Sequence, residues 1–468
     1  MQPVSLRELI AAIDGTPVGL ASMEERVERI ATDSRRVQTG DVFWAIAGPN
    51  DDGHRYVQQA LHQGAVACVV DQDAELAVRE KLVCVEDTVL ALGDFAEWYR
   101  NQFDALVIGV TGSVGKTTTR HMVHTVLGAR FVGMESPQNF NNHLGVPLSL
   151  LQMSPDHEYA VIELAASQVG DIEDLSSIVH PEVGVLTTIG PAHLDEFKSI
   201  ENVMRAKAEL LAALPASGFA VLNGDDDLVR QVASHAACPV ILVGEKADND
   251  LVAQWVRTDN GWLRFCIESS EFDVPVVGRH HITAAMTAIA IGRQIDMSDE
   301  EIAAGLRMFE PVRGRSELLR VGPWFVVDDT YNASPLSMQA ACRSLQDWQG
   351  VNKKILVAGD MLSLGAEAAG YHKQLGQFIA STGVNQLVAF GTQAGLVAGS
   401  AKEHGMDAGC LGVCSDAETA RMLLDCWLEP GDLILIKGSR NMQMEQFVDY
   451  LKQRVAAEQE QQPVRRVA

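Results

Sequence analysis

The chain has 468 residues, 47% hydrophobic and 21% charged, with a formal net charge of −25 and a mean hydropathy near zero. That length exceeds one ordinary hydrophobic core and predicts about three domains, while the mix of apolar and charged residues excludes a disordered chain. The negative charge argues against a nucleic-acid partner, because backbone phosphates are held by lysine and arginine.

Residues 1–103 alternate short apolar runs such as Ala65–Val70 with helix-like stretches such as Tyr56–Gln63, which predicts a small α/β domain. The opening ten residues lack the long apolar core of a signal peptide, and no apolar run approaches the roughly 18 residues that span a bilayer. A cytoplasmic protein without membrane insertion is expected.

From 104 to about 313 the pattern repeats on a larger scale, with strands predicted near Leu106–Val110, Tyr159–Glu163 and Val183–Thr187, each followed by a turn and a helix-like stretch. Such alternation predicts a mainly parallel sheet with its ligand at the strand C-terminal ends. The stretch Ala105–Thr119 joins an apolar run to a glycine-rich turn and a Lys-Thr pair that opens a helix. Backbone N–H groups freed by Gly112 and Gly115 would form an anion nest, Lys116 would reach the β/γ-phosphates of a nucleoside triphosphate, and the Thr117 hydroxyl would ligate Mg²⁺. The strict motif places glycine where Val110 stands, and an ordinary strand-turn-helix is the plainer alternative.

The next strand ends in Glu163, which reads either as the metal partner of Thr117 or as a surface glutamate. A loop after the third strand carries His193 and Asp195; His193 is a candidate ligand for a second metal, or else a structural or merely solvated histidine. Lys207 falls on a predicted helix, where by itself it reads as an exposed lysine.

The third segment starts near Gly314, with strands predicted at Trp324–Asp328, Lys354–Ala358, Gln386–Phe390 and Leu433–Ile436, a second doubly wound pattern. Asp328 and Asp329 end a strand and precede a polar turn through Asn332, so they either hold ribose hydroxyls or metal, or terminate the strand by local hydrogen bonds. Arg315 offers a guanidinium suited to bidentate phosphate contact. The polar tail after Tyr450 is expected to fray. The eight cysteines include no Cys-x-x-Cys pair, which fits reduced core thiols; Cys410 and Cys414 lack the second ligand pair that a metal site needs.

Three features in order, Thr111–Thr117, Glu163 after its strand, and His193 followed by Lys207, resemble the Mur ligases, ATP-dependent amide-forming enzymes of peptidoglycan assembly. Further marks are Thr32–Phe43, Asn139–Pro147, Asp329–Pro335, Gly359–Gly365 and Lys437–Arg440. The likeness spans nearly the whole chain and is nearest to the dipeptide-adding type. It implies an α/β fold of three domains: a small N-terminal α/β domain (1–103) for a UDP-sugar, a central P-loop-type, mostly parallel sheet with flanking helices (104–313) for ATP, and a C-terminal Rossmann-like domain (314–468) that binds the incoming dipeptide and closes over ATP. It also implies ATP and Mg²⁺ as cofactors, UDP-N-acetylmuramoyl-tripeptide and D-alanyl-D-alanine as substrates, and a monomer.

Carried over residue by residue, the resemblance implies ATP contacts from Gly112, Ser113, Val114, Gly115, Lys116, Thr117, Thr118, His281, Arg315, Asp329 and Asn332. Substrate contacts fall to Ser34, Arg35, Asn139 and Asn142. One magnesium would be held by Thr117 and Glu163, and a second served by His193 and a carbamylated Lys207. Lys116, Glu163, His193, Lys207 and Arg315 form the implied catalytic set.

Some positions depart from the family pattern. His281 and Ala284 stand where asparagines are usual, Leu164-Ala165 replaces Met-Gly, and Ser334 and Ser363 replace asparagine and glutamate. The ligase that adds the third amino acid is the runner-up, but its Asp-Asn-Pro-Arg segment is absent. Folylpolyglutamate synthetase shares the core without a UDP-sugar domain of this kind. Asn352-Lys-Lys-Ile355 fails as a guanine-reading segment, which disfavours a GTPase, while an ATP-binding relic of the family stays open because of His281 and Ala284.

Overall fold

The computed structural model describes residues 1–461. Its strands are short apolar runs such as Tyr-Ala-Val-Ile in Tyr159–Glu163, buried along their whole length, as expected where helices cover both faces of a parallel sheet. Three such sheets are present. The first is five-stranded, in the order Thr16–Val18, Leu82–Val85, Ala67–Asp71, Asp41–Trp44 and Arg29–Ala31, with only the Thr16–Val18 edge antiparallel.

The second sheet has seven strands, in the order Leu251–Val252, Val240–Gly244, Phe219–Asn223, Val183–Leu186, Leu106–Thr111, Tyr159–Glu163 and Gly133–Glu135, all parallel. The third sheet has six strands, in the order Glu317–Val321, Trp324–Asp329, Leu433–Lys437, Lys354–Gly359, Gln386–Phe390 and Leu411–Cys414. Its first strand is antiparallel and the rest are parallel. The expected α/β class and the strand placements hold. Sequence patterning missed a small antiparallel sheet, Gln254–Asp259, Trp262–Ile267 and Ser270–Val274, whose register shifts between Gln254 and Arg257.

The helix Thr88–Arg100 joins the first two sheets. Asp87 caps it by accepting from the Val89 and Leu90 amides, and its apolar face belongs to one continuous cluster running from Leu6 and Trp44 through Phe95 and Tyr99 to Leu151, Met153, Ile172 and Leu210. At the far side Tyr99 donates to the Met153 carbonyl (2.9 Å), and Arg100 donates to the Val179 carbonyl (3.0 Å) and pairs with Glu182 (3.1 Å). Packing is therefore continuous across position 103.

Two expectations are corrected here. The segment after Tyr450 does not fray within the described residues: the helix Glu445–Gln461 continues through it, because Arg454 lies 4.9 Å over Trp324 and pairs with Asp425 (2.8 Å), and Val455 packs near Gly322. Lys207 is not an exposed lysine but is 3% exposed, on the inner face of the helix Ile200–Ala212. All eight cysteines are free, and among the described residues no helix is long and apolar enough to cross a membrane.

Candidate active site

The C-terminal ends of the central strands open into a cleft of about 1010 Å³, closed on its far wall by the third sheet. The turn after Leu106–Thr111 is shaped by two glycines in left-handed backbone, Gly112 at φ 145° and Gly115 at φ 90°. At Gly112 a Cβ would lie 2.0 Å from Thr187 Oγ1, so no side chain fits. Gly115 is the N-cap of the helix Lys116–Leu127 and lacks a capping side chain, which leaves the first amides of that helix and its positive end directed at the cleft. Thr187 fastens the turn by donating to the Val114 carbonyl (2.6 Å), and the Ser113 amide donates to the Thr188 carbonyl (2.7 Å). Val110 lies fully buried inside the strand, so the missing glycine of the strict motif falls outside the turn.

Lys116 donates to the Gly112 carbonyl (2.7 Å) across its own loop, and burial pushes its pKa down while Glu163 opposes the shift. Its ammonium is thereby held at the loop mouth. Glu163 ends the neighbouring strand at 2% exposure, which rules out a surface glutamate. Its Oε1 accepts from Asn141 Nδ2 (2.8 Å), and its backbone amide donates to Ser136 Oγ (3.0 Å).

The turn leading into the third sheet contributes Arg315, whose Nη2 donates to Thr117 Oγ1 (3.2 Å) and whose guanidinium lies 3.8 Å over the Tyr331 ring. Asp329 pairs with Lys437 (2.8 Å) and accepts from the Ser316 amide (3.2 Å), while Lys437 Nζ donates to the Asn332 carbonyl (2.8 Å). Asp328 takes the other role foreseen for this turn, accepting from the Thr330 amide and hydroxyl.

His193 sits in left-handed backbone (φ 54°), half exposed to the cleft and 3.5 Å from Glu196; the cleft walls, and then Lys116, push its imidazole down. Next to it in the loop, the Asp195 amide reaches the Ser363 carbonyl of the third sheet's loop (3.4 Å). Lys207 makes no hydrogen bond or ion pair among the described residues and has the Phe197 ring 5.6 Å away. Burial, and Lys116 as a second cation, push its pKa down to about 7.

His281 lines the cleft at the start of the helix Ile282–Gln294, next to Thr283 and Ala284. Burial and the His280 ring, 4.1 Å away, keep it neutral, and its Nε2 is buried without a partner among the described residues. Asn139, Asn142 and Thr118 also face the cleft. Ser34 and Arg35 do not: Ser34 is buried, with Oγ donating to Gln59 (3.2 Å), and Arg35 is exposed and paired with Asp33 (2.8 Å) in the first sheet's portion.

Among the described residues no group of three or more His, Cys, Asp or Glu side chains is placed to hold a metal alone. One carboxylate and one hydroxyl, Glu163 and Thr117, instead fit a hard divalent ion that takes the rest of its shell from phosphate oxygens and water.

This architecture matches known proteins over nearly its full length. The Mur ligase catalytic, middle and glutamate ligase domains match residues 26–100, 110–292 and 314–440. A UDP-N-acetylmuramoyl-tripeptide--D-alanyl-D-alanine ligase of Bacillus subtilis is 32% identical over 448 residues, covering 95% of this chain and 97% of its own. The chain belongs to the Mur ligase family.

An Escherichia coli ligase of the same name is 31% identical, covering 97% and 99% of the two chains. Among solved structures, MurF from Acinetobacter baumannii superposes with a TM-score of 0.89 at 30% identity (97% and 99% covered). MurF ligase from Thermotoga maritima in complex with ADP gives 0.83 at 27% identity (92% and 99% covered). Residues of this Mur ligase site that were not foreseen include Asn141 on Glu163 and Lys437 on Asp329, and behind Glu163 Arg120, which lies between it and Glu135. Arg120 follows Thr117 by three positions on one helix, a spacing that places both on one face and was the signal available.

Proposed function

We propose that the protein is the ATP-dependent ligase that joins D-alanyl-D-alanine to UDP-N-acetylmuramoyl-tripeptide. The observation that carries this reading is the fully formed anion turn with Lys116 at its mouth and the buried Glu163 beside it, in a cleft completed by Arg315 from the turn leading into the third sheet. Residues 1–103 would bind the UDP-sugar around Asp33, Ser34 and Arg35. Residues 104–313 would hold ATP, and residues 314–468 the dipeptide.

The tripeptide carboxylate attacks the γ-phosphorus of ATP, the bond to the β-phosphate oxygen breaks, and ADP leaves an acyl phosphate. The amine of D-alanyl-D-alanine then attacks the acyl carbon, loses a proton and expels inorganic phosphate as the amide forms. Loop amides from Val114 to Thr118 and the Lys116 ammonium compensate charge on the phosphate oxygens through both steps. Thr117 and Glu163 would hold Mg²⁺, which when bound neutralises phosphate charge. Arg315, Asp329 and Asn332 close the far wall over the nucleotide, with His281 beside its base and Asn139 and Asn142 toward the tripeptide. Closure excludes water from the acyl phosphate.

Lys207 suits carbamylation. A buried amine that titrates near 7 holds a free lone pair at neutral pH; it attacks the carbon of CO₂, loses a proton and becomes an anionic oxygen ligand, which with His193 would serve a second magnesium. Eight free cysteines and a nucleotide-linked substrate support a cytoplasmic enzyme.

The test is ADP release from ATP and Mg²⁺ with UDP-N-acetylmuramoyl-tripeptide, with and without D-alanyl-D-alanine, and product mass. ADP formed only with both substrates, together with the UDP-linked pentapeptide, is expected. ADP release indifferent to the dipeptide, or none, would overturn the reading in favour of another acceptor or a binding-only relic.

A further inference from the structure

Arg120 is 3% exposed and stands between two carboxylates. Its Nε donates to Glu135 Oε2 (2.9 Å) and its Nη1 to the Gln138 carbonyl (2.7 Å), whereas Nη1 lies 3.5 Å from Glu163 Oε2, at the limit of a hydrogen bond. Glu135 is fixed in turn by His121 Nδ1 on its other oxygen (2.7 Å). Its strand, Gly133–Glu135, is the direct neighbour of Tyr159–Glu163. Asn141 takes one lone pair of Glu163 Oε1, so Oε2, met only by the long Arg120 contact, is the less occupied oxygen of this buried carboxylate. A guanidinium free to move would close on Glu163 with two short bonds, the stronger arrangement for such a pair.

We propose that Glu135 and Arg120 are a positioning pair for the cation site: Glu135 withholds the Arg120 guanidinium from Glu163, so that Glu163 Oε2 stays open to a divalent cation. The pair touches neither substrate nor the reacting atoms, and the inference rests on Glu163 being a metal ligand.

The experiment measures Mn²⁺ affinity of the full-chain enzyme with ADP bound, from the electron paramagnetic resonance signal of free Mn²⁺. Glu135→Gln releases Arg120 onto Glu163 and is expected to weaken Mn²⁺ binding about tenfold, the usual scale for partners of metal ligands. Adding Arg120→Met removes the competing cation, and the amide then at position 135 leaves no unpaired charge behind. The double variant is therefore expected to bind Mn²⁺ within about threefold of the parent, a rescue that a merely structural role would not produce. A Glu135→Gln affinity within twofold of the parent, or a double variant as weak as the single, overturns the proposal. If Glu135→Gln does not fold, Glu135→Asp carries the same expectation at about threefold, because it withdraws the anchor by one methylene. Glu163→Gln separates the two levels: unchanged Mn²⁺ affinity there removes Glu163 as a ligand, whereas a loss there without any effect at Glu135 removes the positioning pair alone.

Discussion

The first and central sheets meet across Thr88–Arg100, where Trp44, Phe95 and Tyr99 share one apolar cluster with Leu151, Met153 and Ile172. The central and third sheets meet across a cleft that polar contacts cross, among them Arg315 on Thr117 and the Asp195 amide on Ser363. The apolar seam gains free energy by excluding water and has one close-packed solution. A charged group can exchange a protein partner for a charged ligand, so the polar seam is the one expected to rearrange when substrates bind. Stability and chemistry are thus assigned to different seams.

The largest effect expected from breaking this division falls on the cleft. Lys116→Ala and Glu163→Gln should each lower kcat/KM roughly a thousandfold, as removal of a preorganised charge does, with the melting temperature nearly unchanged. A melting temperature that falls in step with activity would show that the cleft also carries the fold. Phe95→Ala attacks the other seam. It should cost about 3–5 kcal/mol in urea unfolding, with the first and central portions melting together; unfolding of the first portion alone would contradict a shared core.

Lys207, close enough to Lys116 to feel its charge, is an amine buried at the cost of stability. Unfolded it titrates near 10.5 and folded near 7, so between those values the unfolded chain binds a proton that the folded chain does not. Stability therefore rises with pH across that window, and the penalty is full below pH 7. In carbonate-free buffer Lys207→Met should be the more stable protein near pH 6, with its advantage shrinking toward pH 10. A constant difference between the two would mean that Lys207 does not titrate there.

What could be read from sequence followed from local signals. The phosphate turn, Glu163 and the parallel strands were legible because glycine spacing and apolar runs act over a few residues. Lys207 was misread as exposed because its helix is amphipathic with that lysine on the buried face, and only the packed neighbours reveal the side. The tail after Tyr450 was misread because the Trp324 ring and Asp425 that hold Arg454 lie far away in sequence. Glu135 leaves no spacing rule, since its pairing with Arg120 bridges a strand and a helix, whereas Arg120 is marked only by its three-residue spacing from Thr117 on one helix. The small sheet Gln254–Val274 escaped because polar, exposed strand residues alternate weakly and Trp255 breaks the register at φ 56°.

The smallest structural effect is expected at Arg35, far from either seam. Its guanidinium is 82% exposed and pairs with Asp33, whose carboxyl the arginine and the Arg35 amide hold down at about 2. An exposed pair is screened by water and salt, so Arg35→Ala should leave the melting temperature unchanged. If Asp33 instead serves to aim Arg35 at an anionic sugar nucleotide, the same substitution should raise KM for UDP-N-acetylmuramoyl-tripeptide about tenfold while kcat and the KM for ATP stay put, the pattern of a lost uniform binding contact. Equal KM values in the two proteins would remove Arg35 from the substrate site, and a fall in kcat instead would tie this distant loop to the cleft.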